Sequence, residues 1–322
     1  MLAGERTMTA RPLPTRRETL GLGLAMVAAA CSRSGKPEAK LLVGDQKAGC
    51  KVVLEASRQL DHLPYRIEWS AFPNAAPLLE ALNAGAIDTG IGGDAAFIFS
   101  IGSGAAIKAI GAQRYEGPGP VLVVRAGSPI HSLADIAGKR IATPKGSVGH
   151  NLILAALEAH GKPLDAARLA FMSPQDGQAA LLSGSVDGWA IWDPNATLAA
   201  RQGARLIFAP EGLVPAYALL FGSDAAIAGK RNLLTDYRRR LYTGWDWAAT
   251  HGPDYARLLH QETGIPLDVW QAVTKRTRRL PTEIDAALIA AQQQTADRYF
   301  HAGLIDRKID VKSGFDQSFS KA

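Results

Sequence analysis

Short apolar runs alternate with segments of helical periodicity along most of the chain, and this pattern is typical of α/β proteins. Toward the N-terminus, four runs have the length and composition of strands: Leu41–Val43, Arg66–Trp69, Ile87–Ile91 and Ile107–Ala112. Three helical patterns lie between these strands, around residues 50–61, 74–84 and 94–103.

The same alternation continues further along the chain. Five more runs predict a second group of strands, which begins with the first of them: Val121–Arg125, Ile141–Thr143, Leu169–Met172, Val186–Trp189 and Ala204–Phe208. One helix is predicted over 149–159, where Gly161 ends it. From residue 224 onward the pattern is helical, with long runs at 230–250 and 282–302. We expect these C-terminal helices to brace the first group of strands.

Two pairs of segments about 100 residues apart are similar in sequence. Lys40–Leu54 aligns without gaps with Arg140–Leu154, and each has the pattern of a strand, a loop and a helix. Ala81–Asp88 aligns with Ala180–Asp187, and each has the pattern of a helix, a glycine C-cap and a short strand. The chain is therefore expected to contain a duplicated α/β unit.

Duplication of this kind implies two lobes, each built on a mostly parallel sheet. Ligands of such sheets bind beyond the carboxyl ends of the strands, where loops lead into helices. If the lobes face each other, four loops converge on one cleft: 44–50, 92–95, 144–150 and 191–194. The prediction is a clamshell whose two crossings between lobes form a hinge. Residues 40–123 and 214–322 are assigned to lobe 1, and residues 124–213 to lobe 2.

Residues 1–31 have the pattern of an export signal and not of a folded element. Arg16 and Arg17 precede an apolar run, Leu20–Ala30, that is too short to span a bilayer. The paired arginines resemble a twin-arginine export signal. We therefore expect the protein in the periplasm or on the outer face of the membrane.

Small residues before Cys31 resemble a lipoprotein cleavage site, at which the cysteine is lipidated. Ala28 stands where such sites usually carry a larger apolar residue, so cleavage without lipidation stays open. Residues 32–39, with Gly35 and Pro37, are expected to form a tether.

Composition narrows the possible functions. The chain has 322 residues, which exceeds the usual size of one core and leaves room for a cleft. Hydrophobic residues make up 47% and charged residues 20%, as in ordinary globular proteins. The formal net charge is +6, and the densest basic stretches, Arg238–Arg240 and Lys275–Arg279, lie in helix-like sequence. We interpret them as solvated faces, so nucleic-acid binding is not expected.

Neither a metal site nor a catalytic constellation is apparent in the sequence. Cys31 and Cys50 are the two cysteines, and no Cys/His spacing suits zinc, so neither a cofactor nor an intramolecular disulfide of the processed chain is expected. The motifs Gly-x-Ser-x-Gly, His-Glu-x-x-His and the P-loop are absent. The chain is therefore expected to bind a ligand and not to be an enzyme.

A glycine-containing turn at Pro144–His150 opens a predicted helix. Backbone N–H groups around Gly146 and the positive end of the helix dipole attract an anion, and Ser147 adds a hydroxyl donor. The alternative is that Ser147 only caps its own helix. His150 is either a ligand contact or a helix-face residue without a special role.

The other predicted cleft loops carry five further candidates. Gln46 can donate and accept hydrogen bonds, and Gly93 lets the backbone approach a ligand. Asp94 and Asp193 occupy equivalent positions in the repeat, where they hold a ligand ammonium or cap the helices that follow. Trp192 forms either an apolar wall for the organic part of a ligand or part of the lobe core.

At these residues the chain resembles the sulfonate, taurine and nitrate group of periplasmic substrate-binding proteins of ABC importers, above all the aliphatic sulfonate-binding proteins. The segments that carry the resemblance are Gly44–Lys47, Leu79–Asp88, Gly93–Ala95, Ser132–Ala142, Lys145–Ser147, Gly184–Pro194 and Gly303–Ile305. They are distributed over nearly all of the chain that follows the export segment.

The resemblance implies a two-lobed α/β fold of the type II-like periplasmic-binding-protein kind, with a helical C-terminal extension on lobe 1. It implies a clamshell that closes on a sulfonate-like anion and docks on an ABC permease in the membrane. We expect a monomer that holds the sulfonate oxygens near Gly146 and Ser147 and the organic tail near Trp192.

Departures from the group's usual residues leave the ligand open. The group often has Thr in place of Gly92, Pro in place of Ala96, and Asn in place of Val148 or Gly149. Nitrate, taurine or a pyrimidine precursor are therefore alternative ligands. An enzyme like those of pyrimidine synthesis is a further alternative, although such enzymes act in the cytoplasm and the export signal speaks against one.

Overall fold

Two mixed β-sheets flanked by helices make up the part of the chain that the structure describes. The structure is a computed structural model, and it describes residues 39–214 and 217–321. The predicted export segment 1–31, with Cys31, and the predicted tether up to residue 38 lie outside the described residues. Both sheets belong to one unit, Lys40–Ala322.

The first sheet has six strands in the order β11-β4-β10-β3-β1-β2. Their bounds are β1 Lys40–Gln46, β2 Arg66–Phe72, β3 Thr89–Gly93, β4 Ile107–Glu116, β10 Tyr217–Ser223 and β11 Arg278–Thr282. β1 pairs in parallel with β2 and β3, whereas β10 runs antiparallel to β3 and β4, and β11 runs antiparallel to β4. The first four strands therefore end at one edge of the sheet, where β10 and β11 begin.

The second sheet has five strands in the order β7-β6-β8-β5-β9. Their bounds are β5 Val121–Val124, β6 Arg140–Thr143, β7 Arg168–Phe171, β8 Gly188–Ile191 and β9 Arg205–Phe208. β6 is parallel to β7 and β8, and β5 is antiparallel to β8 and β9. Four of the strands, β6 to β9, consequently end at the same edge.

Helices connect the strands and cover both faces of each sheet. Three helices follow strands of the first sheet and three follow strands of the second: α1 Cys50–Ala56, α2 Ala75–Asn83, α3 Asp94–Gly102, α4 Val148–Ala159, α5 Pro174–Ser183 and α6 Asn195–Arg201. The C-terminal helices are α7 Asp224–Gly229, α8 Arg231–Thr250, α9 Gly252–Thr263, α10 Leu267–Arg276 and α11 Ala286–His301. Among the described helices, none is both long enough and apolar enough to cross a bilayer.

The sequence repeat corresponds to a repeated hydrogen-bond arrangement. The Asp88 carboxylate accepts from the backbone N–H of Leu42 on β1 at 2.7 Å, and the Asp187 carboxylate accepts from that of Arg140 on β6 at 2.8 Å. In each copy, an aspartate just before the third strand accepts from a backbone N–H of the first strand, so the two sheets share this arrangement. The alignment of Lys40–Leu54 with Arg140–Leu154 pairs Leu42 with Ala142, whereas the hydrogen bonds make Leu42 equivalent to Arg140. The predicted alignment of the first strand was therefore wrong by two residues.

Apolar side chains form one cluster on each face of each sheet. On the first sheet, one cluster contains residues of α1, α8, α9 and α10, and the other contains residues of α2, α3 and α11. On the second sheet, α4 covers one face, and α5 and α6 cover the other. Leu154 of α4 belongs to a cluster of the first sheet, so apolar packing continues from one lobe to the other.

The C-terminal helices pack mainly on the first sheet, but not on it alone. α8 and α9 contact α1, and α11 contacts α3. In addition, α10 contacts α6 and α11 contacts α4, both of which belong to the second sheet. The helical extension therefore also joins the two lobes.

One predicted domain boundary falls inside a strand. The assignment of residues 40–123 to lobe 1 separates Val121–Val123 from Val124, whereas β5 is a continuous buried strand that pairs with both β8 and β9. The first crossing between the sheets lies between Glu116 and Val121. The boundary after residue 123 therefore lies at least three residues too late, although the second group of strands was predicted to begin at Val121.

The interpretation of the basic stretches as solvated helix faces was also wrong in part. Arg278–Thr282 is the strand β11, which pairs along β4. Arg238 is buried on α8, where its guanidinium binds the Glu283 carboxylate at 3.1 Å and lies over the Tyr242 ring. Tertiary pairing overrides the local helical pattern at these arginines.

Candidate functional site

Loops at the carboxyl edges of the two sheets lie close together, and the region between them is called the cleft below. On one side, the turn before α4 packs against α3. Gly146 has a φ of +69°, and a Cβ atom there would lie 3.0 Å from the Phe99 ring. The His150 ring is stacked near Phe99, with 6.4 Å between centroids. The turn at 144–150 therefore lies beside the helix that follows the loop at 92–95.

On the other side of the cleft, α10 meets the loop after β8. The Arg276 guanidinium forms an ion pair with Asp193 and donates to the Thr197 hydroxyl at 2.6 Å. Arg201 of α6 forms a second ion pair, with Asp268 of α10 at 2.8 Å. Both lobes thus contribute residues to each side of the cleft.

The predicted anion turn satisfies most of its own hydrogen bonds. The Ser147 hydroxyl accepts from the backbone N–H of His150 at 3.2 Å, so Ser147 caps α4. The backbone N–H of Gly146 donates to Nδ1 of His150 at 3.2 Å, and that of Ser147 donates to the Pro144 carbonyl at 3.3 Å. An anion would have to compete with these acceptors. Anion binding at Gly146 and Ser147 stays a prediction.

His150 is a buried, neutral side chain. Its Nδ1 accepts a hydrogen bond, so the proton of the neutral ring is on Nε2, which has no partner among the described residues. Burial, with a smaller contribution from the charge of Lys145, lowers the pKa of His150 from 6.5 to about 4. The ring packs between aromatic side chains of three elements: Phe99, Phe171 and Tyr299. Its contacts are those of a residue that holds the turn in place.

Asp94 lies at the start of α3 and links it to α11. One carboxylate oxygen accepts from the Ala95 N–H at 2.7 Å, and the other accepts from Nε2 of Gln292 at 2.8 Å. Burial raises the pKa of Asp94 to about 6, although these hydrogen bonds lower it in part. Asp94 is the first residue of α3, whose N-cap is Gly93. Its carboxylate is engaged by the protein's own donors, and its contact with a ligand stays a prediction.

Gln46 joins the first loop to the neighbouring strand. Its Nε2 donates to the Ile91 carbonyl on β3 at 2.8 Å. The preceding residue, Asp45, accepts from the backbone N–H groups of Cys50 and Lys51 and so caps α1. Burial raises the pKa of Asp45 to about 6. A second site candidate of lobe 1, Gly93, has open space within 4 Å of its missing Cβ atom.

Trp192 and Asp193 follow β8, and a cis peptide bond joins Asp193 to Pro194. The carboxylate of Asp193 accepts from the N–H and hydroxyl of Thr197 at 3.1 and 2.6 Å, in addition to its ion pair with Arg276. Asp193 therefore caps α6 and holds a protein cation where a ligand ammonium was considered. Trp192 is half-buried at the margin of an apolar cluster of the second sheet, and its contact with a ligand stays a prediction.

Sequence reasoning missed several residues at this cleft. Arg276 connects the lobes through Asp193, Tyr299 packs on His150, and Gln292 binds Asp94 within lobe 1. All three lie in helices that the sequence pattern assigns only to bracing. The Tyr299 hydroxyl and Oε1 of Gln292 are buried without partners among the described residues. The sequence signal that could have indicated these residues is a polar residue on an otherwise apolar helix face.

Cys50 and the possible metal ligands of the described residues are candidate reactive groups. Cys50 is buried, and burial raises the pKa of its thiol, so it is not an activated nucleophile. In the described ranges, no cluster of three His, Cys, Asp or Glu side chains could hold a metal ion.

Replacing His150 by Asn tests its buried, neutral state. Asn retains an acceptor for the Gly146 N–H but removes the titrating ring. Because the wild-type pKa is about 4 when folded and about 6.5 when unfolded, the unfolded chain binds a proton first as the pH falls. Between pH 7 and pH 4 the wild type should lose roughly 2 to 3 kcal/mol more free energy of unfolding than His150→Asn. Urea unfolding at each pH measures this difference.

The matched control is His160→Asn, which changes an exposed histidine at the end of α4 and should keep the wild-type pH profile. Asp45 and Asp94 have raised pKa values, so they stabilise the folded chain as the pH falls below about 6. Their contribution is common to all three proteins and cancels in the comparison. If the free energies of unfolding of wild type and His150→Asn changed with pH in parallel, the assignment of His150 as a buried, neutral side chain would be wrong.

Comparison with known proteins agrees with the resemblance seen in the sequence. Residues 70–256 match the family described as NMT1/THI5 like. A protein of Escherichia coli strain K12 that is named for binding aliphatic sulfonates is 32% identical over 290 residues, which cover 88% of this chain and 90% of that protein.

Two solved structures have the same fold over most of their length. The periplasmic aliphatic sulphonate-binding protein of Escherichia coli is 29% identical, with a TM-score of 0.76 over 88% of this chain and 93% of that one. The alkanesulfonate-binding protein of Xanthomonas axonopodis pv. citri, bound to MOPS, is 30% identical, with a TM-score of 0.80 over 88% of this chain and 99% of that one. The chain therefore has the periplasmic-binding-protein fold and belongs to the NMT1/THI5-like family, in which it is similar to the aliphatic sulfonate-binding proteins.

Proposed function

We propose that the protein is an extracytoplasmic solute-binding protein that captures aliphatic sulfonates or similar small organic anions for an ABC importer. One observation carries the proposal: the carboxyl edges of both sheets meet around the turn at 144–150, in a chain that is 32% identical to a sulfonate-binding protein over 88% of its length. This is the place where ligands of such sheets bind.

The ligand would bind more tightly to one arrangement of the two lobes than to another. A ligand that contacts both lobes stabilises the arrangement in which they are close together. Gln46 and Gly93 are the contacts proposed from lobe 1, and Ser147 and Trp192 those proposed from lobe 2. Phe208 supports an apolar wall, because it is 42% exposed at the same edge of the second sheet as Trp192.

Binding without catalysis is the proposed activity. The rival is an enzyme on the same fold, for which a nucleophile beside a base would be needed. Cys50 is buried with a raised pKa, and His150 is neutral with its Nδ1 engaged by a backbone N–H. These features favour a binding protein.

Location and partners follow from the same proposal. The protein would act in the periplasm, as a monomer, and would deliver its ligand to an ABC permease. Arg16 and Arg17 support a twin-arginine export route, and Cys31 supports a lipid anchor on the membrane.

Calorimetric titration of the purified protein tests the ligand class. We expect binding of one alkanesulfonate per chain, with affinities for ethanesulfonate, butanesulfonate and MOPS at least about tenfold tighter than for nitrate, sulfate or a pyrimidine precursor. Taurine, whose ammonium group finds no free carboxylate at Asp94 or Asp193, should bind more weakly than ethanesulfonate. No heat with any sulfonate would contradict the function.

Two controls accompany the titration. In the wild type, each further CH₂ group of the alkanesulfonate tail that is buried should improve the free energy of binding by about 0.8 kcal/mol. Trp192→Ala should reduce this gain per CH₂ group. Trp247→Ala, on α8 and stacked on His251, should leave that gain unchanged. Mass spectrometry of the ligand after incubation should return it unaltered, whereas a converted product would favour the enzyme.

Membrane anchoring has a separate test. Cys31→Ser should move the protein from the membrane fraction to the soluble periplasmic fraction, because it removes the acceptor for the lipid. Cys50→Ser, which changes a buried cysteine, should leave the wild-type distribution intact. A wild-type protein found only in the soluble fraction would exclude the anchor and leave the binding function in place.

A further inference from the structure

Arg279 is a half-buried cation for which no described residue provides a hydrogen bond or ion pair. It lies on β11 opposite Tyr115 of β4, and its guanidinium lies over the Tyr115 ring, 5.3 Å from the centroid. Removing a charge from water is unfavourable unless an opposite charge compensates it. The contact with Tyr115 provides only part of that compensation.

Neighbouring arginines at the same edge of the sheet all have carboxylate partners. Arg114 and Arg278 share Glu116, at 2.8 and 2.6 Å, and Arg276 pairs with Asp193. Arg279 thus differs from the cations around it, because it keeps an unused positive charge. A cation of this kind suits an anion that arrives from outside the protein.

Gln113 provides a second unused donor beside Arg279. It is 1% exposed, and its Nε2 has no hydrogen-bond partner among the described residues. Gln113 and Tyr115 are two residues apart on β4, so their side chains lie on the same face of the sheet. Arg279 pairs with Tyr115 across the two strands, and paired residues also share a face. Both unused donors are therefore on one face of the sheet.

Small residues continue the row of Gln113 across the sheet, and the far end of this row is open. Gly93, Ala218 and Gln113 form one row across β3, β10 and β4. Side chains in one row point to the same face of a sheet. A Cβ atom at Gly93 would meet no atom within 4 Å, so this end of the row is open. The row ends at the carboxyl edge, where the cleft begins.

Arg279 lies near the carboxyl edge of the first sheet. It is the second residue of β11, which begins at that edge. Arg276, three residues earlier, forms an ion pair with Asp193, which follows β8 of the second sheet. Arg279 is therefore close along the chain to the place where the two sheets meet.

We propose that Arg279 and Gln113 bind the anionic head group of the ligand, which would occupy the space beside Gly93 and Ala218. The proposal rests on the proposed function and assigns its anion to lobe 1. A guanidinium presents two parallel N–H donors that match two oxygens of a sulfonate, and the Gln113 amide donates to the third. The amides of Gly146 and Ser147 then need not leave their internal acceptors.

Titration of ethanesulfonate into variants of the full protein tests this assignment. Arg279→Met should weaken binding at least about 30-fold, because it removes one partner of a desolvated charge pair. Arg279→Lys should recover part of the loss, since it restores the charge without the fork of donors. Gln113→Met, of similar volume, should weaken binding about tenfold. Arg278→Met is the matched control and should bind within about twofold of the wild type, because Arg278 is exposed and paired with Glu116.

Urea unfolding without ligand separates a binding role from a structural one. Arg279→Met should have an unchanged or higher urea midpoint, because it removes an uncompensated cation. A lower midpoint would overturn the proposal in favour of a structural role. Full-strength binding by Arg279→Met would overturn it and leave the proposed function intact. A wild-type protein that binds no sulfonate would overturn both.

Discussion

Contact between Phe99 and Gly146 is the constraint on which the cleft depends. Because residue 146 has no side chain and a positive φ, the ring on α3 can lie against the backbone of the turn before α4. The same contact places His150 beside Phe99 and Tyr299, three aromatic rings from α3, α4 and α11. These contacts hold the two sheets with their carboxyl edges toward each other.

A buried polar interface continues this contact along α4 and α11. Arg298 donates to Asn151 and to Glu158, both at 2.8 Å, and Asn151 donates to Thr295 at 3.4 Å. Buried polar groups of this kind require partners, so the interface favours one register of the helices. On the opposite side, the ion pair of Arg276 with Asp193 is the main polar link. The cleft lies between these two connections.

Burial decides which charges of the cleft are available to a ligand. Asp45 and Asp94 direct their carboxylates at helix N–H groups, and His150 is neutral above about pH 4. Arg276 is engaged by Asp193, whereas Arg279 has no carboxylate partner among the described residues. Its half-buried positive charge matches an anionic head group such as a sulfonate.

Much of the fold could be predicted from the sequence, because the strands are apolar runs and the duplication repeats them. Asp88 and Asp187 each accept from a backbone N–H of the first strand of their sheet, although the sequence alignment of that strand was wrong by two residues. Val121–Val124 belongs to the second sheet, whose strands were predicted to begin there. The sequence could not show that Arg278–Thr282 is a strand, because its pairing with β4 decides this. For the same reason, the acceptor of the Gly146 amide and the unpaired state of Arg279 became visible only in three dimensions.

A crystal structure of the protein with a bound alkanesulfonate would show where the ligand binds. We predict the ligand between the two sheets, with sulfonate oxygens within hydrogen-bonding distance of Arg279 and the tail toward Trp192. A ligand bound on the outer surface of either sheet, away from the turn at 144–150 and from Arg279, would contradict this prediction.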